Sequence, residues 1–124
     1  MNYQKLLGRS GEMAVARYLE KEGFEVCSLN YSCRSGEIDV IAEKPELRIF
    51  VEVKTRQNHY FDISQVVNLT KQRRIISTAY YYNAHFGGLN DRTHRFDVAI
   101  LQPDGEGWLI RYIPNAFTPS VEWF

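Results

Sequence analysis

The sequence lacks the features that mark membrane, disulfide-stabilised and zinc-binding proteins. No apolar run approaches the length of a bilayer span, and the first residues contain no long apolar stretch of the kind found in signal peptides. The two cysteines, Cys27 and Cys33, form no Cys-x-x-Cys pair, which argues against a thiolate zinc site. The three histidines show no metal-ligand spacing either. We therefore expect a cytoplasmic protein with reduced thiols and no contact with a membrane.

Net charge is also missing, because 15 Lys and Arg residues balance 15 Asp and Glu residues. A neutral chain is not a strongly cationic, non-specific binder of nucleic acid. The charges are unevenly distributed, however. Residues 1–53 carry a net charge of −2, whereas residues 54–85 carry +4. The basic residues of this second segment predict either phosphate contacts or a solvated helix face; they include Arg56, Lys71, Arg73 and Arg74.

The hydrophobic pattern predicts a single domain over residues 1–124, with a core at about 8–113 and a tail at 114–124. The predicted elements are a helix at Leu6–Glu22, strands at Phe24–Tyr31, Gly36–Glu43 and Leu47–Lys54, a helix at Gln65–Ala84 capped by Ser64, and strands at His94–Gln102 and Trp108–Ile113. The order α-β-β-β-α-β-β predicts an α/β or α+β fold in which helices flank a mixed β-sheet, and we expect the α/β class.

The third predicted strand places charged residues in an apolar setting. Phe50, Glu52 and Lys54 share one face of this strand, because strand side chains alternate. A buried charge is costly unless it has a partner. Glu52 and Lys54 therefore predict one of two arrangements. They form a mutual ion pair at a sheet end, or Glu52 holds a metal ion with Lys54 beside it.

Other acids can reach the same end of the sheet. Asp39 shares a strand face with Glu37, and the predicted hairpin brings Asp39 towards Glu52. Glu12 lies at the edge of the apolar stripe of the first helix, although the helix dipole alone would also favour an acid there. Close carboxylates resist joint ionisation unless a cation compensates, and carboxylate ligands suit Mg²⁺ or Mn²⁺. From spacing alone, the acids predict a metal site or a structural cluster of ion pairs.

Five short motifs are spread along most of the chain: GRSGE at Gly8–Glu12, GEIDVIA at Gly36–Ala42, FVEVKTR at Phe50–Arg56, KQRRI at Lys71–Ile75 and RFDV at Arg95–Val98. Together they resemble the YraN-like family of small bacterial proteins. Asn30-Tyr31 also fits that pattern. The family is similar to archaeal Holliday-junction resolvases and, more widely, to the PD-(D/E)XK restriction-endonuclease-like fold.

The resemblance implies a metal-dependent endonuclease that acts on DNA, including branched or damaged DNA. Asp39 and Glu52 would be ligands of Mg²⁺ or Mn²⁺, with the Val53 carbonyl as a further ligand. Glu12 would be the helix acid beside the metal, and Lys54 would be the catalytic lysine.

The resemblance also implies supporting roles for residues around the metal ligands. Glu37 would support the ligands, and Gln65 would be a polar helix residue that faces the site. The basic residues expected to contact DNA phosphates are Arg56, Lys71, Arg73 and Arg74. The chain departs from the family pattern at Phe61-Asp62 and Asn68-Leu69, in the segment that leads to the basic helix. These departures bear on the choice of substrate.

Two other classes of function compete with the nuclease. One is a nucleic-acid-binding module that has the fold without robust cleavage, which the neutral charge favours. The other is an interaction protein with a structural acidic cluster, whose aromatic tail at Trp123-Phe124 would meet a partner. A homodimer is a further expectation, because a DNA junction is two-fold symmetric. Asp97 is expected to be a structural acid that pairs with Arg95 or the basic helix.

Overall fold

The computed structural model describes residues 3–56, 66–87 and 91–119, and of residues 3–9 it describes the backbone alone. Within these ranges a five-stranded sheet is covered by one helix on each face. The elements are α1 (Tyr3–Lys21), β1 (Glu25–Cys33), β2 (Gly36–Lys44), β3 (Leu47–Thr55), α2 (Leu69–Phe86), β4 (Thr93–Asp104) and β5 (Gly107–Phe117). The predicted α/β class, the mixed sheet and the α-β-β-β-α-β-β order are confirmed.

The strands lie in the order β1-β2-β3-β4-β5. The β3–β4 pair is parallel, and the other neighbouring pairs are antiparallel. A parallel pair cannot be joined by a tight turn, so the chain crosses over through α2 between β3 and β4. The crossover packs α2 mainly against β2, with further contact to β1.

Two apolar cores lie on opposite faces of the sheet. On the α1 face, Val15 and Leu19 pack with strand residues that include Val40, Ile49 and Val51. On the α2 face, the main contributors are Ile41, Phe50, Ile75, Tyr82 and Phe96. Each fully buried side chain of this size contributes about 1.5–3 kcal/mol. The alternation predicted for the third strand is confirmed, because Phe50 belongs to one core while Ile49 and Val51 belong to the other.

The start of α2 differs from the prediction. The helix begins at Leu69 rather than at Gln65, and its N-cap is Asn68. The side chain of Asn68 accepts a hydrogen bond from the backbone N–H of Lys71 at 2.8 Å. Asparagine is as good an N-cap as serine, so the sequence offered two start signals of similar strength. Ser64 and Gln65 lie outside the described residues.

The last strand is longer than predicted. β5 continues four residues beyond Ile113 to Phe117, which is buried in the core under α2. Its register against β4 shifts between Phe96 and Val98, where three residues of β5 face one residue of β4. A proline is tolerated at such a bulge. Because Pro114 also interrupts the alternating pattern of side chains, the sequence pattern did not predict the strand beyond Ile113. No helix in the described part of the chain is long and apolar enough to cross a membrane.

Candidate functional site

The centre of the candidate site is the place where β2 separates from β3. The pairing of the two strands ends at Val40 opposite Val51. One further step of the same register would place Asp39 opposite Glu52, with both side chains on the α2 face. Instead, the Asp39 carboxylate accepts a hydrogen bond from the Val53 backbone N–H at 2.8 Å. A side chain thus satisfies a strand N–H, and the two acids are held at the mouth of the separation.

Glu52 has a cationic partner in α2. Its carboxylate lies 2.6 Å from the ammonium of Lys71, and the side chain of Glu52 is 8% exposed. An ion pair was one of the two arrangements predicted for Glu52, but the partner is Lys71 and not Lys54. Lys54 is half-buried, and among the described residues no side chain makes a hydrogen bond or ion pair with its ammonium. Lys71, which was predicted to contact a DNA phosphate, thus forms an ion pair within the protein.

Glu12 reaches the site from α1. Its carboxylate accepts a hydrogen bond from the Asn30 side chain at 2.7 Å. Asn30 lies in β1, between the residues that pair with β2 on either side of Asp39, and its φ is 55°. Asparagine tolerates this left-handed conformation better than most residues.

The approach of α1 to the sheet depends on Gly11. A Cβ at Gly11 would lie 2.6 Å from the Leu101 side chain, closer than two carbon atoms can pack. The glycine therefore lets α1 lie close to β4 at the point where Glu12 meets β1.

Burial, together with electrostatic repulsion among the acids, disfavours their charged forms at this site. Burial, followed by the charge of Glu52, raises the pKa of Asp39 to about 8. Burial also raises the pKa of Glu12, against the opposing effect of its hydrogen bond from Asn30. The charge of Glu37 raises the pKa of both groups, which places Glu37 in the same electrostatic cluster. Burial and mutual repulsion therefore disfavour joint ionisation of these acids unless a cation compensates.

A cleft of about 240 Å³ opens above these acids. Its lining consists of Glu37, Asp39, Glu52, Lys71, Arg74 and Ile75. Acids from the sheet thus face basic residues from the first two turns of α2 across an opening. The volume accommodates several water molecules or one phosphate group.

The other basic residues predicted at the site have different positions. Arg73 is exposed on α2. Arg56 follows β3 directly, and its backbone N–H donates to the Leu101 carbonyl at 2.7 Å. Its guanidinium donates to the Thr55 carbonyl at 3.3 Å. The structure therefore brings Lys71 and Arg74 to the cleft and leaves Arg73 on the outer surface of the helix.

The donor atoms at the site fit a hard divalent cation. Asp39, Glu52 and Glu12 offer carboxylate oxygens, the ligands that Mg²⁺ and Mn²⁺ prefer. Across residues 3–56, 66–87 and 91–119, no three Asp, Glu, His or Cys side chains are already gathered closely enough to hold a metal ion. The ammonium of Lys71 supplies positive charge at Glu52 instead. A metal ion would therefore have to exchange with that ammonium.

A second polar cluster fixes the far end of α2. Arg48 is 3% exposed and donates to Glu43 at 3.1 Å and to Asn83 at 2.8 Å. It also donates to the Gly87 carbonyl, immediately after the helix. These bonds tie the C-terminal end of α2 to the β2–β3 hairpin and so hold its first turn over Glu52. Sequence reasoning missed Arg48, although its alternation with Phe50 and Glu52 places it on this face.

Asp97 is not part of the candidate site. It is fully buried in β4 and receives two hydrogen bonds from Arg95, at 2.9 and 3.0 Å. The Tyr112 hydroxyl and the Asn115 backbone N–H also donate to it. The Asp97 carboxylate organises the β5 bulge, as expected of a structural acid that pairs with Arg95.

Comparison with known proteins places the chain among small proteins of similar length. Residues 11–101 match the sequence model of the uncharacterised protein family UPF0102. A UPF0102 protein of Myxococcus xanthus (strain DK1622) is 42% identical over 116 residues, which cover 92% of this chain and 90% of the relative. A UPF0102 protein of Clostridium perfringens (strain 13 / Type A) is 39% identical, with 93% and 96% covered. One from Treponema pallidum (strain Nichols) is 38% identical, with 96% and 98% covered. These matches confirm the resemblance to the YraN-like family, and the chain belongs to the uncharacterised protein family UPF0102.

Proposed function

We propose that the chain is a metal-dependent endonuclease that hydrolyses phosphodiester bonds in DNA, with branched or damaged DNA as its substrate. The observation that carries the proposal is a cleft with a basic rim that is lined by acids from two neighbouring strands, at the point where the strands part. Asp39 of β2 and Glu52 of β3 line this cleft, and Glu12 of α1 binds Asn30 in the neighbouring strand β1. Negative charge gathered in this way favours binding of a cation.

In this proposal Asp39 and Glu52 hold Mg²⁺ or Mn²⁺, with the Val53 carbonyl and Glu12 as further ligands. The bound ion would neutralise phosphate charge and make a water molecule more acidic. The Val53 N–H keeps the Asp39 carboxylate oriented through its 2.8 Å hydrogen bond. Asn30 does the same for Glu12 at 2.7 Å.

Lys54 is the proposed catalytic lysine. It follows Glu52 on the same face of β3, and among the described residues its ammonium has no ion-pair partner. An ammonium at that position would hold the attacking water or stabilise the charge that develops on the phosphate. Arg74, at the rim of the cleft, would contact a neighbouring phosphate. Arg56 and Arg73 would extend this contact along the DNA backbone.

A second candidate is a nucleic-acid-binding module without robust cleavage. The observation that favours it is the Lys71–Glu52 ion pair, which already neutralises one of the proposed ligands. The absence of net charge points in the same direction. In this alternative the acids would be a structural cluster, and the basic rim would be the binding surface.

The test is cleavage of a labelled panel of four-way junction, flap, single-stranded and linear duplex DNA, with RNA included. Each substrate is incubated with Mg²⁺ or Mn²⁺ and the wild-type chain, Glu52→Gln or Lys54→Met. Glu46→Gln is the matched control, because Glu46 is exposed in the β2–β3 turn. Circular dichroism establishes that each variant is folded. Metal-dependent cutting that survives in Glu46→Gln and is lost in both site variants supports the nuclease.

The opposite result is equally informative. If the wild-type chain cuts no member of the panel, and the site variants bind the panel as well as it does, the binding module replaces the nuclease. Sedimentation with and without junction DNA tests the accompanying proposal that two copies act on a two-fold symmetric substrate. A cytoplasmic location, where DNA is accessible, is part of the same proposal and can be tested by cell fractionation.

A further inference from the structure

The ion pair between Lys71 and Glu52 joins a fixed group to a movable one. Glu52 projects from the central strand β3 and is 8% exposed, whereas the Lys71 side chain is 38% exposed at the rim of the cleft. The Glu52 backbone is held in place by pairing with β4 opposite Val98, and the preceding residue Val51 is paired with β2 as well. The lysine ammonium is carried on a flexible four-carbon stem. If the pair opens, Lys71 is the partner that moves.

The position of Lys71 is unfavourable for α2 itself. It is the third residue after the N-cap Asn68, and the first turn of α2 contains no acidic residue. The positive end of the helix dipole disfavours a cation in that turn. Its own helix therefore gives no reason for Lys71 to be a lysine. The compensation comes from outside the helix, in the carboxylate of Glu52 2.6 Å away.

The cleft has room for a cation that would compete with the Lys71 ammonium for Glu52, and for a phosphate that the ammonium could contact instead. Glu37 and Asp39 line the same cleft, and their carboxyl oxygens are suitable ligands for a divalent cation that enters it. Removing Lys71 without replacement would leave Glu52 buried and unpaired, which is strongly unfavourable. A divalent cation at Glu52 would provide that replacement, and repulsion would then expel the ammonium. Space in the cleft beside Arg74 lets the ammonium turn towards an incoming phosphate.

We propose that Lys71 is a displaceable counter-ion: it neutralises Glu52 in the metal-free protein and transfers to a DNA phosphate when a divalent metal ion takes its place. This inference rests on the proposed function. Its consequence is thermodynamic. Lys71 competes with the metal ion when DNA is absent and assists it when DNA is present. Metal and DNA then bind with positive coupling, and each tightens the binding of the other by the same factor.

The experiment measures Mn²⁺ affinity by isothermal titration calorimetry without and with saturating four-way junction DNA. All proteins used for the titrations with DNA carry Lys54→Met, so that the DNA remains intact. Lys71→Met removes the charge at Lys71, whereas Lys71→Arg retains it. Lys21→Met is the matched control, because Lys21 is exposed in the last turn of α1. Glu52→Gln identifies the site of the bound ion.

Without DNA, we expect Lys71→Met to bind Mn²⁺ about tenfold more tightly than the wild-type chain, a difference of about 1.4 kcal/mol. Lys21→Met should match the wild type, and Lys71→Arg, which keeps the charge and can bind the carboxylate through two hydrogen bonds, should bind Mn²⁺ no more tightly than the wild type. With junction DNA, affinity for Mn²⁺ should rise by roughly 5- to 150-fold when Lys71 is present, the usual range for coupled sites. In Lys71→Met this rise should be largely lost. A lysine with a purely structural role would not produce that loss of coupling.

Failure of this inference can be separated from failure of the proposed function. If Mn²⁺ binding is lost in Glu52→Gln but is equal in Lys71→Met and the wild type, Lys71 is not a counter-ion and the metal site stands. Weaker Mn²⁺ binding by folded Lys71→Met than by the wild type would also overturn the proposal that Lys71 is a displaceable counter-ion. If neither the wild type nor Lys71→Met binds Mn²⁺, with or without DNA, the metal site itself fails and this inference fails with it.

Discussion

Replacing Asp39 by asparagine should make the metal-free protein more stable, and increasingly so as the pH rises. Burial and the nearby charge of Glu52 raise the pKa of Asp39 from 3.8 to about 8. Asparagine keeps an oxygen that can accept the hydrogen bond from the Val53 N–H, but it carries no charge. The substitution therefore removes both the cost of burying a charge and the repulsion from Glu52, and it leaves this hydrogen bond in place.

The direction follows from proton binding. Between about pH 4 and pH 8, folded Asp39 keeps a proton that the unfolded chain has released, so wild-type stability falls as the pH rises. One pKa unit corresponds to about 1.4 kcal/mol, which gives a loss of up to about 3.5 kcal/mol between pH 5 and pH 8. Asp39 is half-buried and solvent screens part of its charge, so we expect about half of this, roughly 2 kcal/mol. The free energy of unfolding of Asp39→Asn should not fall in this way as the pH rises.

The assay is urea denaturation in the presence of EDTA at pH 5, 6, 7 and 8. The quantity of interest is the free energy of unfolding of Asp39→Asn minus that of the wild type, because any effect independent of pH cancels along the series. Asp104→Asn is the control, since Asp104 is exposed beside the β4–β5 turn. Parallel pH profiles for Asp39→Asn and the wild type would refute the argument that these acids are mutually strained.

Adding metal should reverse the order of stability. At a concentration 100 times its Kd, a ligand that binds only the folded state adds about 2.7 kcal/mol. We expect Mg²⁺ or Mn²⁺ at pH 7 to stabilise the wild type and to leave Asp39→Asn almost unchanged. A structural acidic cluster would also gain stability from the asparagine, but it would not show this dependence on metal. The paired measurements therefore distinguish a metal site from a structural cluster.

The remaining predictions concern stability, measured by urea denaturation at pH 7. Asp97→Asn should cost about 3 kcal/mol, because the new amide turns its N–H donors towards the guanidinium of Arg95; a cost below about 1 kcal/mol would contradict the organising role of this acid. Asn68→Ala should cost about 1 kcal/mol by removing the N-cap of α2, and a neutral effect would show that another residue starts the helix. Gly11→Ala should be destabilising by about 1 kcal/mol, because its Cβ would collide with Leu101, which outweighs the higher helix propensity of alanine. If the alanine variant is more stable, α1 does not need the close approach.

The local periodicity of the sequence was sufficient to predict the β-strands of the sheet and the approach of Asp39 to Glu52. The alternation of apolar residues in β3 predicted which side chains face each core, because strand side chains alternate whatever the rest of the chain does. The short turn after Lys44 then determined the register between β2 and β3, and with it the approach of Asp39 to Glu52. These inferences span fewer than about 15 residues, a range over which backbone geometry leaves little freedom.

Partners that lie farther apart in the sequence were not predicted correctly. Lys54, two residues from Glu52, was its partner in one of the two predicted arrangements, whereas the ion pair in the structure is with Lys71. That contact depends on how α2 docks on the sheet, and the docking is determined by packing and by the Arg48 cluster at the far end of the helix. Asn30 was also missed as a site residue. The sequence feature that could have identified Asn30 is that asparagine, a residue typical of turns, stands within an otherwise strand-like segment.

The Glu52–Lys71 pair shows how the metal-free protein tolerates a concentration of acids. Apolar side chains at these positions would remove the cost of burying charge, and an arginine at position 71 would bind the carboxylate through two parallel hydrogen bonds. The chain instead uses a lysine, whose single charge on a long stem can leave without distorting the helix. It also places that lysine where the helix dipole disfavours it, so the ammonium is retained by Glu52 and not by its own backbone. The proposed binding of metal and phosphate at one site requires such a contact, because the ammonium must be held in the metal-free protein and released when both ligands bind.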